Sequence, residues 1–382
     1  MAQDPASDAP GVPPALAAAL ESFEPARADH FFRAITRLLS ARPLPLAAGY
    51  TTLAFGGTLA LAHIDDAARG TAYASAMLGD LQALINLLLL TPLGLLALLN
   101  FYDSLKRGLA QLLGGGVIRF ASDDDAADGV RRFDASLNKP WFFWVALAAS
   151  LVTNYLFVYD LSGTWNSLGA GPHAWWFRAF VIVNMFVIFH VLLKGVVIVR
   201  AMAALFDTPD RLDLQPLHPD RCGGVRALGR VAMAQNYFLC VVAVFISVMA
   251  VVSGGGTGGT SSDFFLFPAI VGGFLLLAVY LFFGPLSRAH AVMEQARDRE
   301  LSRLNAAFQA LHRQITDDIA EGRGLSLEEA QKVQVLERLY QIVSGMPVWP
   351  FDVRILAQFA IAVALPLLVG VAVEIASKAL GD

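Results

Sequence analysis

The sequence predicts an all-α protein, a polytopic transmembrane helical bundle of about seven spans, and three observations carry that prediction. Apolar stretches recur along the chain, clearest at 84–99, 179–199, 231–252, 264–283 and 355–375. The 382 residues are 56% hydrophobic and only 16% charged, enough for seven helices of the roughly 20 apolar residues that a bilayer core requires. Basic residues between the stretches fall on alternate loops, as the retention of lysine and arginine on the cytoplasmic side produces.

The elements follow in order. Residues 1–45 form a cytoplasmic amino-terminal segment. Its first 28 residues are rich in proline and alanine, and they lack the basic start and apolar core of a secretory peptide. They read as a loose tail, leading into a short amphipathic helix over 31–39 at the membrane surface. Helix one covers 46–64, diluted by Gly49, Thr51, Thr52, Gly56, Gly57 and Thr58. Helices two and three cover 76–99 and 141–159. Helix four starts near 175, and its periodicity continues to 205. Helices five and six occupy 231–252 and 264–283, closing a block of six spans over 46–287. A cytoplasmic segment over 288–352 precedes helix seven at 353–375 and a short outer tail to 382. Trp141, Trp144, Trp175, Trp176, Trp349 and Tyr159 mark span ends, where amphipathic rings prefer the headgroup layer.

Lysine and arginine positions set the orientation. Arg27, Arg33, Arg37 and Arg42 precede helix one, whereas the loop after it holds only Arg69. The next loop carries Lys106, Arg107, Arg119, Arg131, Arg132 and Lys139, and the one after that has no basic residue. The alternation continues to the end, placing the amino terminus inside and the carboxyl terminus outside. Glycine- and alanine-rich spans with arginine in excess over lysine point to a bacterial inner membrane.

In the segment 288–352, Leu301, Leu304, Phe308, Leu311, Ile315 and Ile319 recur three or four apart and predict a helix over 291–319. Ser326 and Glu329 form a capping box for a second helix through 343. The short linker between them predicts a helical hairpin. Its apolar stripe pairs with a second copy of the chain or packs on the protein's own cytoplasmic face. Pro347 and Pro350, flanking Trp349, then end the helical run ahead of the last span.

The loop between helices four and five reads Leu-His-Pro-Asp-Arg-Cys-Gly-Gly over 217–224. His218, Asp220 and Cys222 are metal-ligand types, and Gly223 with Gly224 expose backbone amides to an anion. Zinc sites normally need four well-placed donors, and no paired motif completes this one. The alternative is a rigid reversal in which Pro219 fixes a dihedral, Asp220 accepts local amides and the glycines allow a left-handed turn. The pattern over 217–224 resembles one found in uncharacterised bacterial multi-pass membrane proteins, a resemblance that implies membrane residence and no activity. The seven-span topology with the amino terminus inside also resembles that of insect-type chemoreceptor channels, which implies an oligomer with the last helix lining a pore. His-Pro-Asp is similar to the tripeptide of J-domain co-chaperones, but here membrane helices flank it instead of a small soluble hairpin.

Polar residues within apolar spans are the functional candidates, because they are costly against lipid. Asn86 and Asn184 fall near mid-depth, with Asn154 closer to the outer side. Asp80, Arg178 and Glu374 form an outer mouth, while His190 and Lys194 lie one turn apart near the inner end of helix four. These residues predict either a hydrated path or a set of inter-helix hydrogen bonds with snorkelling ends. Pro92, Pro366, Gly56-Gly57 and Gly272-Gly273 allow bending or close packing. A net charge of -4 argues against nucleic-acid binding. The two cysteines, Cys222 and Cys240, give no disulfide framework. No motif calls for a cofactor, a nucleophile–base pair or ATP. The expectation is a channel or transporter-like conduit for an ion or small polar solute, or else a non-catalytic scaffold or sensor. A membrane enzyme ranks third.

Overall fold

A computed structural model of the chain describes residues 13–39, 42–79, 84–118, 120–156, 171–206, 222–254, 263–324, 326–351 and 353–380. Its helices are α1 (Pro14–Ser22), α2 (Pro25–Ala28), α3 (His30–Leu38), α4 (Pro43–Thr51), α5 (Gly57–Arg69), α6 (Tyr73–Gly79) and α7 (Thr91–Gly114). The second half adds α8 (Asp123–Leu137), α9 (Trp141–Leu156), α10 (Pro172–Leu205), α11 (Arg226–Gly254), α12 (Asp263–Ala320), α13 (Leu327–Ser344) and α14 (Val353–Leu380). Five helical segments are long and apolar enough to cross a membrane: Pro43–Arg69, Leu87–Gly114, Pro172–Leu205, Arg226–Ser247 and Val271–Ala320. The protein is therefore all-helical and compatible with residence in a bilayer. The predicted third span corresponds to α9, an apolar helix of 16 residues, and the predicted seventh to α14, whose apolar stretch Arg354–Leu368 is shorter than those five.

Two of the five spans are interrupted by wide π-helical turns, Thr52–Gly56 between α4 and α5 and Ile85–Leu90 before α7. Such single-turn bulges accommodate an extra residue without ending the helix. The second one places Pro92 in the first turn of α7, where its missing N–H is not needed. The predicted start of helix two at residue 76 falls in a separate short helix, α6. Asp66 holds α6 in place by accepting the Tyr73 and Ala74 amides at 2.7 and 2.9 Å.

Helix α11 is the centre of the bundle and packs against α7, α12 and α14. Helix α10 packs against α5, α9 and α12. Small residues set the closest approaches, as expected where apolar side chains gain little by leaving lipid. A Cβ at Gly108 on α7 would lie 2.3 Å from Val231 Cγ2 on α11, and one at Gly284 on α12 would lie 2.4 Å from Val199 Cγ1 on α10.

The amino-terminal segment departs from the expected loose tail. From residue 14 it folds into α1–α3, with Leu16, Leu20, Phe23 and Phe32 buried. It packs on α7 and α8: Phe23 meets Phe133 edge-on at 5.8 Å, and Lys106 pairs with Glu24 at 2.7 Å. Prolines open α1 and α2, where a fixed φ helps and no N–H is lost. The expected amphipathic helix is α3, with Phe32 and Ile35 inward and Leu38 outward.

The sixth span and the helix predicted over 291–319 form one element, the 58-residue α12. Gly284 and Pro285 do not break it. Ser287 Oγ donates to the Gly284 carbonyl at 3.0 Å just beyond the proline. The capping box of Ser326 and Glu329 is present at the start of α13. α13 contacts α12, and Gln314 Nε2 donates to Glu329 Oε1 at 3.4 Å.

Candidate functional site

The most distinctive chemistry sits where α3 begins. Asp29 is the N-cap of α3, and its Oδ1 accepts the amides of Phe31 and Phe32 at 2.9 and 3.3 Å, satisfying two of the helix's unpaired donors. Its other oxygen, Oδ2, faces the membrane bundle. There it accepts the Tyr102 hydroxyl at 2.8 Å, lies 2.9 Å from His190 Nε2 and accepts Lys194 Nζ at 2.5 Å. Tyr102 comes from α7, and the other two come from adjacent turns of α10. All of these side chains are buried; Asp29 itself is 1% exposed.

Electrostatics explain how the cluster is tolerated. Burial by itself pushes the Asp29 carboxyl up, but the His190 hydrogen bond and the Lys194 charge outweigh it and hold the group well below the usual carboxylate range. Aromatic rings complete the enclosure: His190 stacks on Phe186 at 5.2 Å, and the Lys194 ammonium stands 5.7 Å from the Tyr102 ring centre. His190 and Lys194 are 5% and 4% exposed. They are the buried counter-groups of an aspartate brought in by the amino-terminal segment.

Asn154 and Asn184 border one cavity of about 80 Å³, lined by α4, the turn before α7, and α7, α9, α10 and α11. Its wall is mainly Leu, Val, Ile and Phe. Asn184 spans it by hydrogen bonds, accepting from Tyr50 Oη at 3.0 Å and donating to Thr91 Oγ1 at 2.9 Å. The Nδ2 of Asn154 is enclosed with no hydrogen-bond partner among the described residues.

A second charged junction lies toward the other end of α10. His173 Nδ1 stands 3.0 Å from Asp65 Oδ2, and Arg69 Nε lies 2.8 Å from Asp65 Oδ1. Tyr73 covers the His173 ring at 4.5 Å. A Cβ at Gly171 would fall 2.0 Å from Asp65 Oδ2 and 2.7 Å from His173 Nδ1, so a larger residue there would displace this pair.

The remaining candidates are not gathered into one site. Arg178 lies over the Trp175 ring at 5.3 Å. Asp80, His218, Pro219 and Asp220 lie outside the described residues, as do the side chains of Asn86 and Glu374. Gly223 and Gly224 have φ of 68° and 95°, the left-handed turn anticipated for that loop, and Cys222 is buried. Among the described residues no group of three or more His, Cys, Asp or Glu side chains is arranged to hold a metal ion. Sequence reasoning missed Asp29, Tyr102, Tyr50, Thr91 and the Asp65–His173 pair. The chain matches no protein-family model, no curated protein and no solved structure.

Proposed function

We propose that the chain is a multi-pass inner-membrane protein that forms a closed conduit for a small polar solute or ion. The carrying observation is the polar face of α10. His173, Asn184, His190 and Lys194 lie within about 120° of its circumference and extend over about 32 Å of its length, close to the thickness of a hydrocarbon core. Each of these groups is held by a different element: His173 by α5, Asn184 by α4 and α7, and His190 with Lys194 by the start of α3. Exchange of those partners is the change that opens a path. In this reading α9 and α14 complete seven spans, with the amino terminus in the cytoplasm and the carboxyl terminus in the periplasm. The exposed Phe308, Ile319, Val335 and Tyr340 on the pair α12–α13 serve as a cytoplasmic hairpin for pairing copies. An oligomer built through that hairpin or through the membrane helices agrees with the resemblance to chemoreceptor-type channels.

The second reading is a non-catalytic scaffold or sensor, favoured by the apolar wall of the Asn154–Asn184 cavity. Reconstituted vesicles separate the two. Wild-type protein is expected to carry flux of at least one ion or small polar solute, and Asn184→Leu is expected to reduce it at unchanged folded yield. Cysteines placed at Gly94, Val181 and Ile188, after replacement of Cys222 and Cys240, should react with a water-soluble thiol reagent. Protection of all three, together with no flux over a broad solute panel, would put the scaffold or sensor first.

A further inference from the structure

A second, smaller space adjoins the buried aspartate. A cavity of about 20 Å³ lies between Asp29, His190 and Lys194 on one side and Leu137, Asn138 and Lys139 on the other. Two of its lining residues each carry an enclosed polar atom with no hydrogen-bond partner among the described residues: His190 Nδ1 and Asn138 Oδ1. The far ends of both side chains are committed. His190 Nε2 faces Asp29 Oδ2, and an ionised carboxylate only accepts, so the ring hydrogen resides on Nε2. Asn138 Nδ2 donates to the Asp134 carbonyl and carboxylate at 3.0 and 3.1 Å, which turns its oxygen toward the cavity. An imidazole lone pair and an amide oxygen thus border one partly open space. Two acceptors cannot satisfy each other, and the space exceeds the roughly 10–15 Å³ that one water needs.

We propose that this cavity is a proton-binding site, in which a water held between Asn138 Oδ1 and His190 Nδ1 passes a proton from the aqueous phase to the imidazole. With His190 neutral, the water donates one hydrogen to each acceptor. On protonation, a hydronium from bulk gives up one proton, a bond forms at Nδ1 from its lone pair, and a water molecule is returned to bulk. The held water then accepts from Nδ1–H and keeps its bond to Asn138. No other bond changes, and the charge of the Asp29–Lys194–His190 group rises from zero to +1. The groups facing His190 are Asp29 and His30 at the start of α3, Lys194 on its own helix, Tyr102 from α7 through Asp29, Lys139 before α9 and Asp134 behind Asn138. The two carboxylates favour the imidazolium, and the two lysines oppose it. Lys194 and His190 share a single oxygen of Asp29, so protonation of His190 places a second cation on the same carboxylate and the amino-terminal segment keeps its anchor. This site stands whether or not the bundle conducts.

The test is a pH titration of the full chain in lipid nanodiscs with ¹⁵N-labelled histidine. The His190 ring signals are assigned by their loss in His190→Gln. Wild-type His190 is expected to titrate reversibly between neutral and doubly protonated forms. Asn138→Asp, which adds a carboxylate across the cavity, is expected to raise the midpoint by about one pH unit or more. Asn138→Leu, which removes the acceptor and fills the space, is expected to lower it. The remaining histidine signals report whether each variant is folded. A wild-type His190 that keeps one protonation state throughout would overturn the proposal, as would a midpoint that neither folded Asn138 variant moves.

Discussion

Asp29 and Lys194 stand 165 positions apart in the chain and 2.5 Å apart in the fold, with neither side chain more than 4% exposed. Removing one member strands the other charge in a low-dielectric interior, which typically costs about 3–5 kcal/mol. Removing both leaves two neutral groups that can still hydrogen-bond. Asp29→Asn and Lys194→Gln are each expected to lower the thermal midpoint of the detergent-solubilised protein. The double variant is expected to lie above the sum of the single losses, and preferably above each single. Strict additivity in that cycle would show that the two groups do not depend on each other.

The pH response of the same contact has a definite sign. The folded-state value of Asp29 is depressed, so the stability it contributes is complete above the ordinary carboxylate value near 3.8 and is lost as pH falls toward the folded-state value. Spin labels on the exposed Arg37 and Arg131 should report an unchanged distance from pH 8 down to about pH 4, with α3 leaving α7 and α10 only below that range. Asp29→Asn, which lacks the charge, should broaden the distance distribution already at neutral pH. A wild-type segment that detaches at pH 5 or 6 would mean that Asp29 does not anchor it.

What the sequence makes legible here follows from the range of the interactions. Spans are legible because a bilayer demands a local run of apolar residues, as at 179–199. The need of Lys194 for a counter-charge is legible by the same reasoning. The identity of that counter-charge is not, because pairing across 165 positions leaves no periodic trace. A weak signal did exist: Asp29 immediately precedes the amphipathic run His30–Leu38, the position of an N-cap. Proline and alanine around Leu16, Leu20 and Phe23 mask the spacing of the buried residues, so the segment reads as a tail. The continuity of α12 is illegible for a different reason: the apolar run 264–283 ends where the membrane signal ends, while the helix itself continues to Ala320.

Close helix packing gives a prediction that does not involve charge. A Cβ at Gly108 would meet Val231 Cγ2 at 2.3 Å, and Val231 is buried in the centre of the bundle. Gly108→Ala should therefore destabilise the α7–α11 contact, by about 1–3 kcal/mol if it behaves as ordinary overpacking. Val231→Ala in the same chain removes the obstructing methyl groups and should restore most of the loss. Gly108→Ala with a wild-type unfolding midpoint would show that the two helices separate without cost at this point.

The final prediction concerns topology, where α9 and α14 decide the count. If only Pro43–Arg69, Leu87–Gly114, Pro172–Leu205, Arg226–Ser247 and Val271–Ala320 crossed the membrane, residues 124 and 257 would fall on one side, against the charge pattern of their loops. With α9 and α14 included, every loop rich in lysine and arginine falls on the same side. A periplasm-active reporter fused after Asp382 should be active, and so should one inserted near Thr257. Insertions near Asp124 and Gly322 should be inactive in that assay and active with a cytoplasmic reporter. A cytoplasmic carboxyl terminus in the full-length chain would remove one span or reverse the orientation. The Gly322 insertion then separates loss of α14, which leaves the α12–α13 turn inside, from loss of α9 or reversal, which both move it to the periplasm, and the Asp124 insertion separates those two, since only reversal moves it outside.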